Sequence, residues 1–274
     1  MASIQPFRGL ERFDEVDATG EAAMFIAFLD RVEALSDVVL RRQQSYDLLR
    51  LVPGRHVVDV GCGLGTAARD LADRVISGGQ VTGIDLSAAM VAEAQRRADA
   101  LGVAAKFEQA SADALPLASG SVHAYRAERL YQHLPNVAKA LAEARRVLAP
   151  GGRIVLVDQD WDAAMLDADD LATSREIHRA FCDSLVQGTV GRRFRSLLLD
   201  AGFVEVQVQA ETVTNSVGED YGFVVDLLEK TARAAGIDRK RLDAWVADQR
   251  RRLTGDRFFM AMTHFIASAT KPDD

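Results

Sequence analysis

The sequence predicts an α/β fold with seven strands in a mostly parallel sheet and helices on both faces. Between residues 55 and about 160, short β-branched runs alternate with helical patterns, as is typical of a parallel sheet covered by helices. After residue 160 the pattern changes to two helices, one long alternating strand, two more helices and a last strand. A helical N-terminal segment precedes the sheet, and a helical insertion precedes its last strand.

The first part of the chain contains five predicted strands separated by helices. Ser87 and Asn136 are suitable N-caps, and Gly102 stands where a residue with left-handed backbone ends a helix. Thr66 opens the first of these helices, and Pro150 marks the end of the last one. The predicted strands cover residues 56–60, 80–85, 104–109, 121–126 and 153–158.

The second part adds helices without forming a separate domain. Helical patterns cover residues 169–187, 191–201 and 219–253, and the remaining strands are predicted at 203–213 and 258–269. We therefore expect residues 1–50 to form an N-terminal segment that is helical from Ala22 onward. Residues 51–274 then form the main domain, with the helical insertion at about 215–256.

Composition and charge exclude several classes of protein. The 274 residues carry 33 basic and 40 acidic side chains, a net charge of −7, which disfavours a nucleic-acid partner. Cys62 and Cys182 lie far apart, so we expect no disulfide framework and no metal, and the reducing cytoplasm is the expected location. No stretch approaches the roughly 20 apolar residues of a membrane span. We expect a protein without membrane spans, as a monomer or homodimer.

A glycine-rich turn follows the first strand and leads directly into a helix. Such a turn presents backbone amides and the positive end of the helix to a ligand. Gly61, Gly63 and Gly65 suit this place because side chains would block the approach of the ligand. Asp59 precedes the first glycine by two positions, and Thr66 stands where the dinucleotide fingerprint has Gly or Ala. The turn favours a nucleotide-like ligand other than NAD.

The turn VVDVGCGLG resembles the first motif of the class I S-adenosylmethionine-dependent methyltransferases. The resemblance extends over about residues 40–160 and is to a small-molecule branch similar to the ubiquinone/menaquinone-biosynthesis methyltransferases. It implies a Rossmann-like sheet with an antiparallel last strand, S-adenosylmethionine as cofactor, S-adenosylhomocysteine as product and a small-molecule acceptor. The further segments that carry it are VTGIDLS (81–87), SADALPL (111–117), LYQHLPN (130–136) and RVLAPGG (146–152).

The resemblance also implies a set of cofactor-binding residues. Asp85 would accept both ribose hydroxyls, since a carboxylate offers two acceptor oxygens to a vicinal diol. Ser111 stands where the family usually has an Asp for the adenine amino group, so that contact is weaker or passes to Asp113. Met90 lies over the adenine or fills the core. The complete set is Asp59, Gly61, Gly63, Gly65, Asp85, Leu86, Met90, Ser111, Ala112, Asp113 and Glu128.

Two residues near the end of the fourth strand are candidates for catalysis. His133 is a candidate general base because imidazole titrates near neutrality, although its segment also has a structural role in this branch. Glu128 would hold the methionine ammonium, orient the acceptor, take its proton, or merely pair with Arg126 or Arg129. An acceptor that is already nucleophilic would need positioning only.

We therefore expect an enzyme that transfers a methyl group to an O, N or C atom of a small molecule of secondary or quinone-type metabolism. The N-terminal segment and the insertion would form a lid over the acceptor. The alternative is a methyltransferase-like fold that binds S-adenosylmethionine but acts as a cyclase or decarboxylase, or as a regulatory binding module. An NAD-linked oxidoreductase is disfavoured by Thr66.

Overall fold

The computed structural model describes residues 16–76, 78–215 and 221–273. The first fifteen residues of the predicted N-terminal segment, and 216–220 of the predicted insertion, lie outside this part. The strands are β1 (His56–Val60), β2 (Gln80–Asp85), β3 (Lys106–Gln109), β4 (Val122–Glu128), β5 (Leu148–Leu166), β6 (Val204–Asn215) and β7 (Met260–Thr270). They form one sheet in the order β3-β2-β1-β4-β5-β7-β6. β7 runs antiparallel to both of its neighbours, β5 and β6, and the other pairings between these strands are parallel. The predicted fold class is confirmed.

Helices cover the sheet and extend beyond one end of it. In the described part of the chain they are α1 (Val16–Thr19), α2 (Ala22–Glu33), α3 (Ser36–Leu48), α4 (Thr66–Ala72), α5 (Ala88–Leu101), α6 (Val137–Val147), α7 (Leu171–Ser184), α8 (Val190–Asp200), α9 (Gly222–Ala234) and α10 (Arg239–Thr254). A short 3₁₀ turn, Tyr131–His133, follows β4. The predicted N-caps Ser87 and Asn136 accept hydrogen bonds from Met90 and Lys139, as expected.

The fifth strand differs most from the sequence-based expectation. It was predicted to cover residues 153–158, but it begins directly after α6, before the Pro-Gly-Gly turn, and reaches Leu166. The reason is its long antiparallel pairing with β7, which continues past an irregularity between Asp160 and Met165. A strand extended by its partner carries no local signal, because the partner lies a hundred residues further along the chain.

Two of the four hydrophobic clusters of the described residues separate the central sheet from the helical insertion. One packs the central strands against α6 and α8 and includes Val58, Tyr125 and Leu156. The other is formed largely by α7, α9 and α10, and includes Trp245 and Met260. The helical insertion therefore has an apolar core of its own, which it shares with the first residues of β7. This core places α9 near the ends of the central strands.

The carboxylate of Asp17 holds the N-terminal helix α1 against the first turn of α5. The carboxylate of Asp17 in α1 accepts hydrogen bonds from the hydroxyl of Ser87 (2.5 Å) and from the backbone amides of Ala88 (2.7 Å) and Ala89 (3.2 Å). These are donors that the first turn of α5 cannot satisfy itself. The chain before α2 is thus held directly beside the end of β2.

The third glycine of the turn gives a test of this packing. Gly65 has a φ of +71°, and a Cβ atom there would lie 2.6 Å from the ring of Phe107 and 2.9 Å from Ala94. Gly102 has a similar φ of +66°, but nothing lies within 4 Å of an added Cβ. We expect Gly102→Ala to cost the backbone strain alone, about 1–2 kcal/mol, and Gly65→Ala to cost clearly more. Urea unfolding of both variants measures their free energies of unfolding. Equal losses of this free energy would contradict the close packing of Gly65 against Phe107 and Ala94.

Candidate active site

A cavity of about 470 Å³ lies across the carboxyl ends of the central strands. This is the place where ligands bind in open α/β sheets, at the point where the strand order reverses between β1 and β4. Helices α2, α3 and α9 cover the cavity. One end is lined by residues that follow β1, β2 and β3, and the other end by residues of β5 and β7.

Asp85 is fixed at the first end by backbone amides. Its Oδ2 accepts a hydrogen bond from the N–H of Gly63 (2.9 Å), and its Oδ1 accepts one from the N–H of Ser87 (3.0 Å). Burial raises the pKa of Asp85 above its ordinary value, against the lowering effect of these amides. Each carboxylate oxygen keeps further acceptor capacity, which suits a ligand with two neighbouring hydroxyl groups.

Ten of the eleven predicted cofactor residues line the cavity, and Gly65 is the exception. An added Cβ at Gly65 would meet Phe107 and Ala94, so the absence of a side chain there allows close packing of the turn. Met90 packs in the core and also lines the cavity. Its predicted position over the adenine stays a prediction. The ten lining residues are Asp59, Gly61, Gly63, Asp85, Leu86, Met90, Ser111, Ala112, Asp113 and Glu128.

Ser111 and Asp113 act together at the wall after β3. The hydroxyl of Ser111 donates to Oδ1 of Asp113 at 2.7 Å, and Nζ of Lys139 lies 3.0 Å from Oδ2. The hydrogen bond from Ser111 and the ammonium of Lys139 lower the pKa of Asp113. An ionised carboxylate therefore stands beside the position where Ser111 replaces the family's usual Asp.

A buried guanidinium joins the ends of β1 and β4. Arg126 donates from Nη1 to Asp59 (2.9 Å), from Nη2 to Glu128 (2.5 Å) and from Nε to the hydroxyl of Ser45 (2.9 Å). The ring of Tyr46 lies 5.3 Å from its guanidinium carbon. All three nitrogens of Arg126 are thus engaged. The salt bridge with Arg126 that was one alternative for Glu128 is present.

The two candidate catalytic residues also line the cavity, and both are weak bases there. Burial raises the pKa of Glu128, but the guanidinium of Arg126 outweighs it and brings the pKa to about 2. Burial and the nearby Arg129 lower the pKa of His133 to about 4. At neutral pH, Glu128 is ionised and His133 is neutral. Proton abstraction is most efficient when the base titrates near the working pH, which neither group does.

The other end of the cavity contains polar residues that the sequence reasoning mostly missed. Trp161 of β5 lines this end, and its Nε1 donates to Oε1 of Gln132 at 2.8 Å. Nε2 of Gln159 donates to the same oxygen at 3.2 Å. Arg41 from α3 and His264 from β7 were not considered, because only the folded chain brings these distant segments together.

Comparisons with known proteins agree with this geometry. A family model described as a methyltransferase domain matches residues 57–152. An uncharacterized 37.1 kDa protein of a Streptomyces fradiae transposon is 37% identical over 247 residues, covering 89% of this chain and 70% of that protein. The ubiquinone/menaquinone biosynthesis C-methyltransferase of Paracoccus denitrificans is 28% identical over 223 residues, covering 73% of this chain and 89% of that protein. Other relatives are matched over 53–57% of their own length.

A solved structure shows the same fold. It is that of Haemonchus contortus phosphoethanolamine N-methyltransferase 2, in complex with phosphomonomethylethanolamine and S-adenosylhomocysteine. The TM-score is 0.62 at 16% identity, covering 97% of this chain and 61% of that chain. The shared fold and the family match over residues 57–152 together define an α/β protein with a methyltransferase domain. The chain belongs to the class I S-adenosylmethionine-dependent methyltransferases that act on small molecules, as its sequence motifs predicted, and S-adenosylmethionine is its cofactor.

No helix among the described residues has the length and apolar character needed to cross a membrane.

The geometry at Asp85 predicts the effect of removing its carboxylate. We expect Asp85→Ala to weaken S-adenosylhomocysteine binding by about 2 kcal/mol, roughly thirtyfold, because the ribose hydroxyls lose a charged acceptor. Asp99→Ala, an exposed substitution on α5, serves as the control and should leave the affinity unchanged. Titration calorimetry measures both variants. Equal affinities of Asp85→Ala and the unaltered protein would refute the position assigned to the ribose.

Proposed function

We propose that this methyltransferase binds its acceptor at the β5–β7 end of the cavity and its cofactor at the β1–β3 end. One observation carries the proposal: a single cavity reaches from Asp85 after β2 to Trp161 on β5 and Met262 on β7. Residues of β1 and β4, where the strand order reverses, lie between the two ends. The acceptor atom is an O, N or C atom of a small molecule, of the kind methylated in secondary or quinone-type metabolism.

The chain's own residues supply binding, orientation and exclusion of water. Asp85 would hold the ribose, and the glycine turn, which has no side chains at Gly61 and Gly63, would allow close approach of the cofactor, whose sulfonium supplies the activated methyl group. Oε1 of Glu128 is buried and has no hydrogen-bond partner among the described residues, and the carboxylate is ionised. It is therefore placed to accept a hydrogen bond from the methionine ammonium. Transfer then requires alignment of the acceptor in a closed site.

The low basicity of Glu128 and His133 favours a particular kind of acceptor. A phenolate, a neutral amine or a stabilised carbanion attacks without losing a proton to the protein in the same step. We propose that His133 stays neutral and orients such an acceptor, while Glu128 acts through its charge. An acceptor whose proton must be removed by a strong base would not fit this site.

We further propose that the N-terminal helices and the insertion together form a lid. The rings of Phe28 in α2 and Phe223 in α9 meet edge to face, with centroids 5.6 Å apart, and both line the cavity. The guanidinium of Arg31 lies 5.6 Å from the same Phe223 ring. These contacts link the segment before residue 50 to the insertion across the opening. We place the enzyme in the cytoplasm, as a monomer or homodimer, in keeping with two free, buried cysteines.

The experiment that tests the function measures the product of methyl transfer. The protein is incubated with S-adenosylmethionine and sets of phenols, amines and activated carbon acids, and S-adenosylhomocysteine is quantified. We expect its formation to require a specific acceptor, and calorimetry to show binding of S-adenosylhomocysteine but not of NAD. Cofactor binding without methylation of any acceptor would favour the alternative of a cyclase, a decarboxylase or a regulatory module.

The same assay tests the lid. Phe223→Ala removes the contact with Phe28 while leaving the residues at the cofactor end in place. We expect S-adenosylhomocysteine affinity to stay within about twofold and turnover to fall by at least tenfold, because water enters an open site. Unchanged turnover would contradict the lid.

A further inference from the structure

The acceptor end of the cavity contains buried polar atoms without partners. Arg41, Gln159 and His264 all line the cavity, and each has at least one buried side-chain N or O atom that lacks a hydrogen-bond partner among the described residues. Buried polar groups are rarely left unsatisfied in folded proteins, because their desolvation is costly. This cluster therefore indicates that a polar ligand completes it.

Arg41 is the charged donor of the cluster, with two nitrogens that lack hydrogen-bond partners in the part of the chain that the structure describes. Its side chain is only 3% exposed, and its Nε and Nη1 atoms are without partners among the described residues. Asp37 lies 3.5 Å from the remaining nitrogen, Nη2. Arginine is charged at every physiological pH, and a buried charge needs hydrogen bonds as well as a counter-charge. Two donors of Arg41 remain available for an acceptor of hydrogen bonds.

Arg129 adds a second positive charge to this end of the cavity. Its backbone has a φ of +54°, a left-handed conformation that is uncommon for a non-glycine residue, and its N–H donates to the carbonyl of Val157 at 2.8 Å. No ion pair of the described residues includes Arg129. Oε2 of the neighbouring Glu128 already pairs with Arg126 and Arg42, and its Oε1 is assigned above to the methionine ammonium. Burial raises the pKa of Asp158 to about 8, so that carboxyl is largely neutral at pH 7 and does not balance the charge.

The surroundings of Arg41 place it between Glu128 and the β7 side of the cavity. Burial lowers the pKa of Arg41, and the charges of Glu128, Asp37 and Glu211 oppose this effect in that order. Burial and the charges of Arg41 and Arg129 lower the pKa of His264 on β7, so both arginines act on that strand. His264 lies between Gln159 of β5 and Glu211 in the register of the sheet. These strands are on the opposite side of the switch point from β2, where Asp85 stands. Arg41 and Arg129 therefore belong to the acceptor's end.

We propose that the acceptor carries a carboxylate-type anionic group, which Arg41 and Arg129 bind together. Its apolar body lies against Val38, Phe223 and Met262, which line the same end of the cavity. Nε and Nη1 of Arg41 lack partners among the described residues, and hydrogen bonds from a guanidinium to an anionic oxygen are stronger than those to a neutral one, which favours a carboxylate. This inference rests on the proposed function, because it gives the chemical class of the acceptor at that site.

The experiment compares two probes that differ only in charge. 4-Hydroxybenzoate and its neutral amide, 4-hydroxybenzamide, are titrated calorimetrically into protein saturated with S-adenosylhomocysteine. A charge-assisted hydrogen bond corresponds to about a 10- to 100-fold difference in affinity, so we expect the acid to bind at least tenfold more tightly. Equal affinities, or no binding of the acid at millimolar concentration, would overturn the proposal.

Variants assign the preference to the two arginines. Arg41→Gln and Arg129→Gln should each abolish the tenfold preference, and Arg41→Lys should restore part of it. Arg74→Gln removes the same charge from an exposed ion pair with Asp47 and should change nothing. If Arg41→Gln weakens the binding of S-adenosylhomocysteine and leaves the binding of the acid unchanged, Arg41 binds the carboxylate of the cofactor and the proposal is wrong. The unaltered protein is first titrated with S-adenosylhomocysteine alone. If S-adenosylhomocysteine does not bind, the proposed function itself is refuted.

Discussion

The site depends on one buried ion cluster, in which the guanidinium of Arg126 lies between the carboxylates of Asp59 and Glu128. Two carboxylates at the ends of neighbouring parallel strands would repel each other, and each would be costly to bury alone. The charge of Arg126 attracts both carboxylates, Arg42 adds a second positive charge 3.7 Å from Glu128, and the third nitrogen of Arg126 reaches Ser45 of α3. The same side chain therefore fixes the strand ends, the charge of the site and the position of an N-terminal helix.

This constraint divides the cavity into two ends of different character. At the cofactor end, backbone amides orient Asp85, and Glu128 is held ionised by Arg126. At the acceptor end, Arg41 from α3 lies one residue before Arg42, whose Nε is 3.7 Å from Glu128. The helix that Arg126 fastens through Ser45 thus also carries the arginine that faces the acceptor.

The sequence predicts features whose signals are local. The glycine turn, the end of β2 at Asp85 and the caps Ser87 and Asn136 are each defined by a few neighbouring residues, and the structure places them as expected. The pairing of Glu128 with Arg126 was considered as an alternative, but the second partner, Asp59, was not. Arg41 and His264 are 223 residues apart in the chain. Neither belongs to a motif, and they meet only because α3 and β7 line the same cavity of the folded chain, which no local pattern encodes.

The free energy of unfolding of Arg126→Met tests the role of the buried cluster most directly. We expect a loss of about 3–5 kcal/mol in urea unfolding, because two buried carboxylates are left without their partner, together with loss of S-adenosylhomocysteine binding. The variant Asp59→Asn/Arg126→Met/Glu128→Gln, which removes all three charges, should recover part of the stability but not the binding. A loss below about 0.5 kcal/mol for Arg126→Met, with unchanged cofactor affinity, would contradict the account.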